Sequence, residues 1–298
     1  MKYCTIISLL FLLLVMPSAA DKTKSKELDN VFYCFNNAVR LLPNAPEGFD
    51  AQAALVKKIG YDGLAGEGGN KYYQWRKAMD KVALAMPEIY IRMGIGQDGK
   101  AIYDGELKSI IRDSKDRNLL ITFVLYNDLK IEDRHKVDQI FIEAIQDLAD
   151  YCNPFNVKIA IYPHAALYCE TVSQSVSLAR AINRRNVGAI FNLCHYLKVE
   201  GQQGWKESIQ NALPYFFMVS ICGAETGDTQ KMGWDKLIQP LGEGAFDTYA
   251  LIKYLKDNGY EGPFGLQCYN IMQDCDKVLT KSMSTWKSYQ ERYRQENH

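Results

Sequence analysis

Val187-Gly188-Ala189-Ile190-Phe191-Asn192-Leu193-Cys194-His195 is a short apolar run that closes on hydrogen-bonding side chains. A β-branched and aromatic stretch of this length reads as a buried strand over 188–192. Three other runs close the same way: Tyr162-Pro163-His164, Ser220-Ile221-Cys222 and Gln267-Cys268-Tyr269. Polar groups at the C-terminal ends of buried strands are what a parallel barrel uses to build a site.

Working outward, similar runs predict strands over 31–35, 63–67, 89–93, 119–125, 157–162, 216–220 and 264–267. Helical spacing separates them. Trp75, Ala78, Met79 and Val82 share one face, as do Val137, Ile140, Phe141, Ala144 and Leu148. Val172, Val176 and Ala179 repeat the pattern. Leu251 and Leu255 repeat it again before the stop at Asn258-Gly259, and Leu279, Met283 and Trp286 line the last helix. Eight strand–helix alternations without a change of composition predict an α/β fold, a (β/α)8 TIM barrel, with a doubly wound open sheet as the alternative. Residues 94–104 and 223–241 are expected to be long loops on the active face.

The N-terminus reads as an export signal over residues 1–20. Lys2 precedes a greasy run of about 12 residues, too short for a span of about 20, and Pro17-Ser18-Ala19-Ala20 offers a cleavage site. The expected product is a periplasmic or secreted protein. Residues 21–30 are charged and poor in apolar groups, a flexible lead to a barrel over residues 31–298. Charge is balanced, with 35 basic and 35 acidic residues, so nothing favours nucleic acid as a partner. No later stretch is apolar enough for an integral membrane span, and the oligomeric state is left open. Cleavage would leave seven cysteines, an odd number without a Cys-x-x-Cys pair, expected to be buried structural thiols.

Side chains two apart on a strand share a face, so Tyr162, Asn192, Ser220 and Gln267 converge on one volume if their inward parity is right. Val187 to His195 resembles the sixth strand of the sugar phosphate isomerase/epimerase family, the xylose-isomerase-like barrels. Pro240-Leu241-Gly242-Glu243-Gly244-Ala245-Phe246-Asp247 resembles that family's Leu-Gly-x-Gly loop. Gly60-Tyr61-Asp62-Gly63 and Asn258-Gly259-Tyr260-Glu261-Gly262-Pro263 resemble its second and last strand approaches. The resemblance implies a barrel with a divalent metal held by Glu, Asp, His and Glu on four strands. Those positions fall at Tyr162, Asn192, Ser220 and Gln267, none of them a good metal donor; the family's substrate-contacting His is kept as His195.

Uncharged amides and hydroxyls both donate and accept, which suits sugar hydroxyls better than a hard cation. The expected ligand is a small carbohydrate, neutral or oxidised to a keto sugar, and the expectation is of no metal and no other cofactor. An atypical metal site on His164 and His195 stays as an alternative. For chemistry, His164 and His195 are the candidate acid and base, since imidazole titrates near neutrality, and Tyr162 the donor to a carbonyl oxygen. Asn192, Gln267, Ser220, Glu67, Glu243 and Tyr269 are the candidate substrate-binding residues. Trp75, Trp234, Tyr126 and Tyr269 are candidates for stacking on a sugar ring. The expected activity is isomerase or lyase: isomerisation, epimerisation, or elimination and hydration. A carbohydrate-binding barrel without catalysis is the rival, and a DNA-repair endonuclease of the same superfamily fails on its missing zinc ligands.

Overall fold

The computed structural model describes residues 27–297; the expected export signal and residues 21–26 of the lead lie outside them. Nine parallel strand segments form one sheet. Two of these, Gly63–Leu64 and Gly66–Glu67, are halves of a single strand, β2, interrupted at Ala65. The others are β1 (Phe32–Cys34), β3 (Glu88–Ile95), β4 (Leu120–Leu125), β5 (Lys158–Ile161), β6 (Val187–Asn192), β7 (Phe216–Ile221) and β8 (Phe264–Leu266). Each pairs with its sequence neighbour, and β8 returns to β1. The first half of β2 pairs with β1 and the second with β3. The ring therefore closes through β2, giving the eight-stranded barrel expected from the sequence, with no strand end shifted by more than two residues.

Alternation along the strands sorts the core into two layers. Tyr33, Leu120, Val124, Ala160, Ile190 and Met218 point inward and pack together. Their neighbours, such as Phe32, Ile121, Ile159, Phe191 and Val219, point outward against the helices. The helices owe their place to the apolar stripes read from the sequence. In Asn70–Lys81 the buried residues are Tyr72, Trp75, Ala78 and Met79, and in Arg134–Cys152 they include Val137, Phe141, Ile145 and Leu148. Trp75 is thus core rather than a stacking platform, and Tyr126 already carries the Arg92 guanidinium 3.8 Å above its ring.

The end of the lead is anchored, contrary to the flexibility expected of it. Leu28 is buried, its carbonyl accepts from Gln290 Nε2 at 2.8 Å, and Asp29 pairs with the buried Lys256 at 2.9 Å. All seven described cysteines are buried and unpaired. No helix among the described residues is long and apolar enough to cross a membrane.

Candidate active site

A cavity of about 760 Å³ opens at the C-terminal end of the barrel, a volume typical of small-molecule sites. Tyr162, His164, His195, Gln267, Glu67 and Tyr269 all line it. Asn192 and Ser220 have the inward parity expected of them but are only 1% exposed and lie beneath its wall. Glu243 is not part of it. Its carboxylate pairs with Lys281 of the last helix and accepts from Gln273 at 3.4 Å, so the glycine loop carries this charge away from the cavity.

The two histidines face each other with ring centroids 3.9 Å apart. One residue between them, Ala165, fixes both tautomers. Its carbonyl lies 2.8 Å from His164 Nδ1, which must carry the proton, since a carbonyl only accepts. Its N–H donates to His195 Nδ1 at 3.3 Å, which must therefore be bare. His164 is left with an unprotonated Nε2 and His195 with an Nε2–H. Burial lowers the pKa of His164 against the pull of the Ala165 carbonyl. Burial, and next the repulsion of His164, hold His195 well below an ordinary imidazole. At neutral pH both rings are uncharged, one an acceptor and the other a donor.

Tyr162 stands beside them, its ring centroid 5.9 Å from that of His195. Burial pushes its phenol well above the usual range, with Cys194, Tyr90 and Glu88 adding to the shift and Gln267 hydrogen-bonding against it. It therefore stays protonated. Asn192 donates its amide to the Tyr162 hydroxyl and spends its oxygen on the main-chain N–H of His195 at 3.3 Å and the Cys194 thiol at 3.0 Å. It is the N-cap of helix Leu193–Val199, the role that Asn at a strand–helix junction commonly takes. Its contribution to the site is to hold Tyr162 and His195. Burial raises Cys194 well out of thiolate range, so it is no nucleophile.

Gln267 accepts from the Asn37 side chain and from the Tyr269 N–H at 3.0 Å. Tyr269, half exposed, forms the rim, and Trp234 comes in from the long 223–241 loop with its ring 5.2 Å from His195. Glu67 is held by Arg40 at 2.7 Å, by Lys71 at 3.6 Å and by the Trp75 indole at 3.1 Å. Its glycine neighbours serve packing as much as ligand access: a side chain on Gly68 would run into Ile91 and Asp104.

Glu88 was not singled out in the sequence, and it lines the same cavity. It accepts from the Tyr33 hydroxyl at 2.6 Å and the Thr122 hydroxyl at 2.7 Å, and burial raises its pKa to about 7 against both bonds. Barrel strands are staggered, and Gly66 pairs with Ile89, so the first residue of β3 stands level with the last part of β2. A search confined to the C-terminal ends of strands passes over such a residue. The available signal was an acidic residue at inward parity with Tyr90, one position ahead of the expected strand.

The four positions where the sequence resemblance implies a metal do not fit a divalent cation. They offer a protonated phenol, an amide oxygen already used as a helix cap, a neutral hydroxyl and an amide oxygen with two donors on it. No anionic donor is among them to offset the charge. Among the described residues no three His, Cys, Asp or Glu side chains cluster in a way that would hold a metal.

The family model for xylose isomerase-like TIM barrels matches residues 117–288, more than half of the chain. The chain belongs to that family. An inosose isomerase of Bacillus licheniformis is 26% identical over 131 residues, covering 43% of this chain and 46% of the relative. The match thus spans about half the length of that protein. Among solved structures, the IolI protein with a bound zinc atom superposes with a TM-score of 0.68 at 18% identity, over 88% of this chain and 98% of its own. The 3-keto-D-glucoside 4-epimerase YcjR of E. coli gives 0.66 at 12% identity, over 87% and 99%. An L-ribulose 3-epimerase gives 0.65 at 13% identity, over 89% and 96%. At these identities the solved structures speak for the fold alone.

Proposed function

We propose that this barrel is an exported sugar isomerase or epimerase that moves a proton at a carbon beside a carbonyl, without a bound divalent metal. One observation carries the reading: Ala165 locks His164 and His195 into complementary neutral tautomers on one cavity wall. His164 Nε2 is the base that removes the carbon-bound proton. The His195 Nε2–H and the Tyr162 hydroxyl hydrogen-bond the oxygen on which charge develops, in a cavity where such bonds are strong. Gln267 and Tyr269 orient the sugar. The same transfers would serve elimination and hydration. Epimerases and an inosose isomerase among the relatives support a keto sugar or its precursor as substrate, and the greasy N-terminal run supports export.

A panel of aldoses, ketoses and 3-keto-glycosides in deuterated water tests the activity. Exchange of one carbon-bound hydrogen, unaffected by chelator and abolished in His164→Asn, is the expected result. Binding without exchange would replace this reading with that of a carbohydrate-binding barrel, a role that the uncharged Gln267 and Tyr269 lining the cavity would also suit. Exchange that requires added metal would sink the metal-free part. N-terminal sequencing of the expressed protein should find Asp21 first.

A further inference from the structure

Two neutral imidazoles and a phenol leave the proposed chemistry one component short. When His164 takes the carbon-bound proton, the carbonyl oxygen becomes an alkoxide-like centre that must be neutralised. A neutral imidazole N–H and a buried phenol stabilise that charge by hydrogen bonding but give up their protons reluctantly. A group with a proton to give at neutral pH is needed in the same cavity. Among the described residues lining it, only two carry carboxyl groups, Glu67 and Glu88. Glu67 is occupied by Arg40, Lys71 and Trp75.

Glu88 has no such partners. Its neighbours are the Tyr33 hydroxyl from β1 and the Thr122 hydroxyl from β4, with Tyr90 on its own strand and Tyr162 from β5 the next titratable groups. No lysine, arginine or histidine acts on it. A carboxyl group buried without a cation is expensive to ionise and is kept where its proton is used.

Resting on the isomerase reading above, we propose that Glu88 is the second proton carrier of the cavity, working with His164 on the same bound sugar. The C–H electron pair becomes the C=C bond of an enediol as His164 Nε2 takes the proton. The carbonyl oxygen receives the Glu88 proton, leaving an imidazolium and a carboxylate. Collapse of the enediol returns a proton from His164 to carbon and a hydroxyl proton to Glu88, so no further reactant is required. Thr122 and Tyr33 hold the carboxylate in the interval. Glu88 must start protonated and His164 neutral, so activity should fall as pH rises through about 7 and also at acid pH where His164 charges.

The test uses the full-length protein and whichever panel sugar the wild type exchanges. Glu88→Gln should bind that sugar within roughly threefold of wild type, lose at least about 100-fold in exchange rate, and lose the decline above neutral pH. Glu88→Gln with the wild-type rate and the same decline, beside an inactive His164→Asn, would overturn this inference and leave the isomerase reading standing. Infrared difference spectra against Glu88→Gln give a second readout. The wild type should show a carboxylic-acid band that disappears through neutral pH and shifts when the sugar binds; a band indifferent to the sugar also overturns the proposal. A wild type inert towards the whole panel removes both.

Discussion

Strands β5 to β8 and the turns after them bring only uncharged groups to the cavity: Tyr162, His164, His195, Trp234, Gln267 and Tyr269. Strands β1 to β3 and their turns bring every formal charge: Arg40, Glu67, Lys71 and Glu88. The uncharged arc lies within the stretch that matches the family model and the charged arc lies outside it. Within that stretch, the four positions where the sequence resemblance implies metal ligands carry Tyr162, Asn192, Ser220 and Gln267. The other arc supplies the only two carboxylates among the described residues that line the cavity, Glu67 and Glu88. If the comparison holds, neutral hydrogen bonders orient and deprotonate the sugar, and charge enters only from the opposite side.

The sharpest way to break the comparison is at His164. His164→Asn keeps a donor to the Ala165 carbonyl but removes the basic Nε2. Exchange at a sugar carbon should fall by about 10²–10⁴-fold with the fold intact by circular dichroism. A variant with near wild-type exchange would mean that the uncharged arc binds but does not react.

Glu88 offers a test of the charged arc that needs no substrate. Its pKa rises from 4.5 to about 7 on folding, so the folded state holds the proton more tightly than the unfolded chain. That contribution is complete below pH 4.5 and is lost as pH climbs through 7. Above neutrality, ionising Glu88 costs on the order of 3 kcal/mol. Gln at this position retains an acceptor for Tyr33 without the charge, and its amide N–H can donate to the Thr122 hydroxyl once that hydroxyl turns its own proton to the Ile89 carbonyl at 3.2 Å. Glu88→Gln should therefore be more stable than wild type at pH 8, with the advantage shrinking towards pH 5 in urea melts. An advantage that does not vary with pH would mean that Glu88 finds a counter-charge in solution.

The difference between the arcs also explains what was legible in the sequence. Apolar runs of strand length and stripes such as Trp75, Ala78 and Met79 fixed eight units and their order, because burial imposes periods of two and 3.6 on the residues that carry it. Alternation put Tyr162, Asn192, Ser220 and Gln267 on one volume only if their strands turned that face inward, which the packing of Ala160, Ile190 and Met218 settles. Parity does not give depth, however. Asn192 and Ser220 share the inward face with Tyr162 yet lie beneath the cavity wall, and Glu243 has its loop turned towards Lys281. Glu88 enters the cavity through strand stagger, a property of pairing register that no single segment encodes. The tautomers of the histidines depend on the turn at Ala165, which composition does not specify.

Asn192 separates holding a site from forming it. Asn192→Ala removes the cap of helix Leu193–Val199 and the donor to Tyr162, and should cost about 1–2 kcal/mol. Asn192→Asp restores the cap acceptor but not the amide donor. It should recover most of the stability and only part of the exchange rate. Full recovery of both by Asp would mean that the bond to Tyr162 is immaterial and that the uncharged character of this arc is incidental.

Ser220 should show the smallest effect. Its Oγ is buried, 1% exposed as a residue, and has no hydrogen-bond partner in the protein. Removing a hydroxyl that makes no hydrogen bond to the protein forfeits no such bond, so the change is close to neutral. Ser220→Ala should change stability by less than about 0.5 kcal/mol and leave sugar affinity unaltered, since Ser220 lies below the cavity wall. A tenfold loss of affinity, about 1.4 kcal/mol, would show instead that the sugar reaches down to Ser220. The uncharged arc would then extend one layer deeper than the cavity in the free protein, and Ser220 would take the substrate-binding role that its strand position gave it.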